Sequence, residues 1–438
     1  MKFYLRSTFR FVRQEAASKA HHCRNTNDQP LVHLTKQYYM KSLYFFFIFI
    51  AFAFCSNAQT DSRIVIGKID SIQSKILNEE RKIMIYVPSN SAESDYGKQP
   101  YPVLYSLDGD ENYFTMLAGT VRFLSTIYDP VLPETIVVSI INTDRTRDLT
   151  PTHHLYSPED STSGGGEKFI SFIEKELIPY INSKYPTTAY KTISGGSLAG
   201  LLGMQIFMNH NNLFNSYICT EPSLWWDNQT LLKETEKALA TKKFNGTSLF
   251  LGIANTMEDG MNINKVIKDT TDATLHIRSI LKLRDELENN KENSLNYQSK
   301  YYNNENHATV SLISQYDALH FIFKDYHLKI TKEDILNPTI NLLNKCKQHY
   351  SPYKTDPPGT LINDTGYWSM NEKQFKKAEE LFKYNLNRYP QSYKVYVAMG
   401  DYYTAINDKP NAVINYKKSL AIKEIEDIRK KLEKVEGK

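Results

Sequence analysis

The chain is poor in cysteine, with four in 438 residues, and two of these, Cys23 and Cys55, fall before residue 59. The other two, Cys219 and Cys346, are too few and too distant to build a disulfide framework, and neither has metal-ligand spacing. Cys219 ends the apolar run Tyr217–Cys219 and reads as a core residue. A membrane-spanning run is also lacking. The uninterrupted apolar stretch Leu43–Phe54 has twelve residues, where a spanning helix needs about 20. Finally, no strong charge of one sign survives scrutiny. Residues 1–58 hold eight Lys or Arg and two Asp or Glu, so the remainder carries 45 basic and 47 acidic residues, against +4 for the whole chain. The basicity belongs to the leader and gives no argument for a nucleic-acid partner.

What is present early is a leader. Met40-Lys41, the twelve-residue apolar run and the exit Ser56-Asn57-Ala58-Gln59 have the anatomy of a secretory signal peptide. Phe54 is bulky where a lipoprotein signal would place a small residue before Cys55. Residues 40–58 are therefore expected to be a signal peptide cleaved after Ala58, and residues 1–39 an over-extended start preceding Met40. The mature protein is then exported, periplasmic or secreted, without a transmembrane anchor.

The rest is organised around Ala189–Gly203, AYKTISGGSLAGLLG. A β-favouring run, Tyr190–Ser194, meets Gly195-Gly196-Ser197, and an apolar helical run begins at Leu198. That is strand, tight turn and helix, with small residues two before and two after the serine, Gly195 and Ala199. Such a turn lifts a serine hydroxyl clear of a sheet and aims the first helix amides at an incoming carbonyl oxygen. Further β-like runs at 63–69, 82–87, 102–107, 135–141, 216–220, 248–254 and 296–302 alternate, in the later part, with helical patterns. This predicts an α/β fold with a mostly parallel central sheet and an antiparallel edge at its start.

A serine needs a base. Between Ser197 and residue 328 the histidines are His210, His276, His307, His320 and His327. His307 follows the last β-like run in the polar loop 303–307, where the base of such a sheet belongs. The acid is expected after the run 248–254, at Glu258 or Asp259, with Asp269 and Asp272 as weaker options. Leu198 offers one oxyanion donor. The second is expected from the loop after the run 102–107, at Asp108-Gly109.

Five segments carry a family resemblance: VLYSLDGDENYF (103–114), NTDRTRDLTPT (142–152), ISGGSLAGLLG (193–203), PSLWWD (222–227) and NHATVSLISQYDALHFIF (306–323). Together they resemble the "putative esterase" family of α/β-hydrolases, which includes siderophore esterases and esterase D and feruloyl-esterase relatives. The resemblance covers 64–323. It implies the α/β-hydrolase fold and a secreted serine esterase acting on a small-molecule ester, with Ser197 as nucleophile, His307 as base and Asp108–Gly109 beside the oxyanion site. The residue before the serine and the one two after it, Gly196 and Ala199, depart from the family's usual histidine and glycine. The acid varies among such enzymes, and a Ser–His dyad is an alternative. Trp225 and Trp226 would offer a flat apolar platform to the substrate. His153-His154 alone makes no metal site, and neither metal nor cofactor is expected.

After residue 323 the pattern turns all-helical. Gly366, Ala378, Phe382 and Leu386 match Gly400, Ala412, Tyr416 and Leu420 at a spacing of 34. Small and aromatic residues at that period mark helix–turn–helix repeats of tetratricopeptide type. The expected organisation is a hydrolase domain over 59–328, a linker helix and loop over 329–358, and helical repeats over 359–438 that could receive a protein partner. Two rival functions share these residues: an inactive hydrolase fold that binds through its repeats, and an acyltransferase using the same serine.

Overall fold

Edge and centre are told apart by strand pattern. The first strand, β1 (Lys68–Ser74), and the last, β8 (Asn296–Tyr302), alternate exposed and covered positions. By contrast β4 (Ile136–Ile140) and β6 (Ser216–Thr220) are buried at every residue. That is the difference between a strand covered on one face and one covered on both. Between them run β2 (Glu79–Tyr86), β3 (Tyr101–Ser106), β5 (Thr187–Gly196) and β7 (Ser248–Ala254). These belong to a computed structural model that describes residues 64–88, 96–97, 99–127 and 130–437. The leader and start-codon readings on residues 1–58 lie outside the described residues. Among the described residues no helix is long and apolar enough to cross a membrane.

The eight strands form one sheet in the order β1-β2-β4-β3-β5-β6-β7-β8. β1 pairs antiparallel with β2 and β2 antiparallel with β4, while β3 to β8 all run parallel to one another. This is the α/β architecture expected from the sequence, antiparallel edge included. Because β4 lies on one side of β3 and β5 on the other, the chain switches direction of travel there. Crevices that take ligands open at the carboxyl ends of strands at such a switch. The loop after β3 begins at Leu107 and the loop after β5 at Ser197, so both open onto it.

Two apolar layers cover the sheet. One gathers Phe169, Phe172, Leu177, Leu201, Phe207 and Ile280. The other includes Leu117, Val121, Leu319 and Phe323 and continues into Leu342, Cys346, Tyr353, Ile362 and Leu381. The second core thus runs without a break from the sheet into the C-terminal helices. Lys377 fixes the junction further, donating to the carbonyls of Asp334, Ile335 and Asn337 at 3.1, 2.8 and 2.6 Å.

The C-terminal part is helical: Gly359–Asn371, Phe375–Arg388, Tyr393–Ala405, Lys409–Ile422 and Glu426–Glu436. Residues 34 apart make the same contact. A Cβ on Gly366 would strike the Phe382 ring, and one on Gly400 would lie 2.6 Å from the Tyr416 ring. Each helix pair therefore closes by setting a ring against a bare glycine. Asp401 then ties the pairs together, accepting from Tyr367 Oη at 2.8 Å, Tyr416 Oη at 2.7 Å and Lys431 Nζ at 2.7 Å.

Candidate active site

Ser197 stands at the tip of the turn after β5 with φ +58° and ψ −122°. A non-glycine residue rarely adopts that backbone, and the surroundings must hold it there. They do so by two backbone hydrogen bonds: Ser197 N–H donates to Thr220 O at 3.0 Å, and Ser223 N–H to Ser197 O at 3.1 Å. Gly195 makes the sharp turn sterically feasible, since a Cβ there would sit 2.5 Å from Ala199 O. The helix Leu198–Asn209 starts immediately after, with no side-chain cap, which leaves its first amides pointing outward.

His307 is set by its own loop. Asn306 Oδ1 accepts from the amides of Ala308 and Thr309 at 2.9 and 3.1 Å, a side-chain-closed turn. Asn255 N–H, just past β7, donates to Glu305 O at 2.8 Å and pins that loop to the sheet. Ser197 and His307 line one cavity of about 510 Å³ together with Asp108, Gly109, Tyr113, Asn142, Arg145 and Glu221.

The carboxylate that faces His307 is Glu221, directly after β6. His307 Nδ1 lies 3.2 Å from Glu221 Oε2, and His276 Nε2 lies 2.9 Å from the same oxygen. The other oxygen, Oε1, accepts from Ala254 N–H at 2.6 Å. Glu221 is 1% exposed. Burial pushes its carboxyl up, but the hydrogen bonds from His276, His307 and the Ala254 amide outweigh this and hold it below the ordinary glutamate value. Glu258 and Asp259, the expected acids, are instead exposed in the loop after β7. Asp269 binds Thr271 and Thr274 through its carboxylate. The sequence did hold a signal for Glu221: it is a carboxylate at the carboxyl end of the β-favouring run Ser216–Thr220, where ligands of such sheets are met.

The oxyanion side also differs in detail from expectation. Gly109 N–H is engaged by Ile140 O at 2.7 Å, and a Cβ on Gly109 would collide with the Ile140 backbone at the same 2.7 Å. The glycine serves close packing of β3's loop on β4 rather than donation. Asp108 has φ +68°. Its carboxylate is clamped by Arg145 Nε and Nη2, both at 2.8 Å, and by Asn142 Nδ2 at 2.7 Å. That clamp sets the loop's conformation beside Ser197. Further back, Arg81 and Asp148 form a buried ion pair, and Arg147 spans Asp148 and Glu79. Thus the segment 142–152 is tied to β2. Tyr113 lines the same cavity, and burial pushes its phenol up to about 12, so it stays protonated.

Trp226 is buried and donates Nε1–H to Thr152 O at 3.2 Å. Trp225 is half-buried and packs edge-on to Tyr156, ring centroids 5.2 Å apart. Neither lines the cavity that Ser197 opens onto. Among the other histidines, His153 lies 3.2 Å from Ser163 Oγ and His154 pairs with Asp227 at 3.1 Å. His210 pairs with Glu167 at 3.1 Å.

The mostly parallel eight-stranded sheet, with Ser197 at the tight turn after β5, resembles the α/β-hydrolases, and the comparisons point the same way. Residues 74–272 match a family model described as "Putative esterase". The "Ferri-bacillibactin esterase BesA" of Bacillus subtilis is 28% identical over 214 residues, 45% of this chain and 73% of that protein. The "Siderophore triacetylfusarinine C esterase" of Aspergillus fumigatus is 23% identical over 167 residues, 37% of this chain and 57% of its own length. An IroE-like serine hydrolase from Shewanella oneidensis superposes with a TM-score of 0.60 at 28% identity, over 73% of this chain and 99% of that one. An uncharacterised protein from Capnocytophaga ochracea shares the fold over 85% of this chain and all of its own, TM-score 0.55 at 19% identity. These matches support an esterase of the α/β-hydrolase type.

Proposed function

We propose that this protein hydrolyses small-molecule carboxylic esters through an acyl-enzyme on Ser197. The observation that carries the reading is one cavity lined by an elbow serine and by a histidine whose far nitrogen faces a buried carboxylate. With its proton on Nδ1 toward Glu221, His307 presents an Nε2 lone pair. That nitrogen takes the Ser197 proton as Oγ attacks the ester carbonyl. The carbonyl oxygen becomes an oxyanion, met by the backbone amides of Leu198 and Asp108. Collapse breaks the ester C–O bond, and the leaving alkoxide takes the proton back from His307. Water, activated by the same imidazole, then releases the acid and regenerates Ser197.

The two named relatives act on siderophore esters, and we extend that substrate class to this chain. The leader reading makes it an exported enzyme. The five C-terminal helices, with their contact repeated at 34 residues, are read as tetratricopeptide-type repeats available to a protein partner. Trp225, half-buried beside Tyr156 and outside the lining of the Ser197 cavity, is the tryptophan that a substrate extending beyond that cavity would meet. A purely binding role is disfavoured by the intact Ser197, His307 and Glu221 set.

The test is a hydrolysis panel of short acyl esters, feruloyl esters and siderophore esters, run beside labelling with a fluorophosphonate. Turnover of at least one ester, with covalent label mapped to Ser197, is expected. A folded protein that neither turns over any ester nor takes the label would overturn the reading.

A further inference from the structure

Glu221 faces two imidazoles, and a serine mechanism needs only one. His276, on the helix Leu275–Asn289, approaches Glu221 Oε2 more closely than His307 does, at 2.9 against 3.2 Å. The two rings stand 5.2 Å apart and steeply inclined at 75°. One atom from each of Glu221, His276 and His307 falls within 4.8 Å of the others. We propose that these three residues form a binding site for a divalent transition-metal ion of the zinc class, and that an ion bound there switches hydrolysis off.

Ligand chemistry and geometry agree. Two imidazole nitrogens and one carboxylate oxygen are a set that zinc accepts in open sites, with water completing the shell. Metal–ligand bonds of about 2.0–2.1 Å place neighbouring ligands of a tetrahedron roughly 3.3 Å apart. The observed 2.9 and 3.2 Å separations are already near that edge length. Entry of the ion therefore takes the place of two shared protons, and the two imidazoles close on it from within 4.8 Å of each other. Glu221 Oε1 is held from behind by Ala254 N–H at 2.6 Å, the kind of outer contact that orients a ligating carboxylate. Access is open as well: the His276 and His307 side chains are 21% and 46% exposed. Elsewhere His154 and His210 each meet a single carboxylate, which is too few ligands.

The switch follows from tautomers and rests on the hydrolase reading above. Catalysis requires the His307 proton on Nδ1 and a lone pair on Nε2. An ion taking the Nδ1 lone pair leaves the proton on Nε2, so the imidazole can no longer accept from Ser197. In His276 the proton moves correspondingly from Nε2 to Nδ1, and no proton is gained or lost overall. Metal binding and general-base action thus compete for one ring.

The experiment uses the full mature chain stripped with chelator. Zinc is titrated by calorimetry, cobalt(II) by its visible absorption, and ester hydrolysis is followed in parallel. Expected are one zinc per chain, cobalt bands of a low-coordinate nitrogen–oxygen site, and loss of hydrolysis over the same concentration range, reversed by EDTA. His276→Gln keeps a donor toward Glu221 but no imidazole. It should weaken zinc binding at least about tenfold and shift inhibition equally, each variant being compared with its own zinc-free rate. His276→Ala checks the same loss without the amide. No stoichiometric zinc binding, or equal affinity in both variants and the wild type, would overturn the site. Zinc bound in the His276-dependent way with hydrolysis undiminished would overturn the switch. A stripped protein that binds zinc in that way but hydrolyses nothing keeps the site and removes the hydrolase reading.

Discussion

Glu221 and Asp401 each gather hydrogen bonds from three residues, and the company they keep differs. Glu221 accepts from His276, His307 and the Ala254 amide at the end of the sheet. Asp401 accepts from Tyr367, Tyr416 and Lys431 among the C-terminal helices. The partners differ in kind. A neutral imidazole pairs a donor nitrogen with an acceptor nitrogen, whereas burial and the neighbouring carboxylate push the phenols of Tyr367 and Tyr416 far up. Asp401 is therefore a clasp between the helix pairs. Glu221 instead faces a ring that lines the same cavity as Ser197. A satisfied carboxylate is not in itself a functional signal; what it satisfies, and what lies beyond, decides.

The comparison breaks most sharply at Ser197. Ser197→Ala should lower kcat by on the order of 10⁴–10⁶ while leaving thermal stability near that of the wild type, because alanine fits the same elbow. Any variant of Asp401 should do the reverse. Activity of Ser197→Ala within a few-fold of wild type would remove the serine from the mechanism.

Next comes the acid. Glu221→Gln should cost about 10²–10⁴ in kcat/KM, by disturbing the His307 tautomer. Glu258→Gln and Asp259→Asn should stay within about twofold, as surface changes away from the reacting groups do. Equal losses at Glu221 and Glu258 would place the acid in the wrong loop.

A third effect is on stability alone. Gly400→Ala drives a methyl into the Tyr416 ring, an overpacking worth about 1–3 kcal/mol. Asp401→Asn strands donors and should cost about 1–3 kcal/mol. Both should lower Tm of the C-terminal helices with kcat unchanged. A fall in kcat without a fall in Tm would show that these helices reach the active site.

The smallest effect is on acid tolerance. The Glu221 carboxyl sits below its ordinary value of 4.5 in the folded protein. Its ionised form therefore contributes stability that is complete above about 4.5 and is lost as pH falls through the lower folded value. Unfolding free energy should drop more steeply with acid in the wild type than in Glu221→Gln. Parallel curves would mean that the carboxylate is not stabilised by its imidazole partners.

Much of this is legible in the sequence. The Gly195-Gly196-Ser197 turn between a β-run and an apolar helix determined the elbow, since only small neighbours admit that backbone. The short turn between the first two β-runs pointed to an antiparallel edge, and the later alternation of β-runs with helical patterns to a parallel sheet. The 34-residue pairing of Gly366 with Gly400 and of Phe382 with Tyr416 foretold a contact made twice. His307 was placed by its position after the last strand. Tertiary structure alone decided which acid faces it. Glu221 and Glu258 each follow a strand of the same sheet, and one sequence cannot say which loop turns inward. The fold settled it by burying Glu221 against Ala254 N–H and leaving Glu258 exposed. It also brought His276, 55 residues from Glu221, onto the same oxygen. And it spent the Gly109 amide on Ile140. Local pattern reports what a segment can be, whereas a carboxylate's partners come from segments far along the chain, and only packing sets those distances.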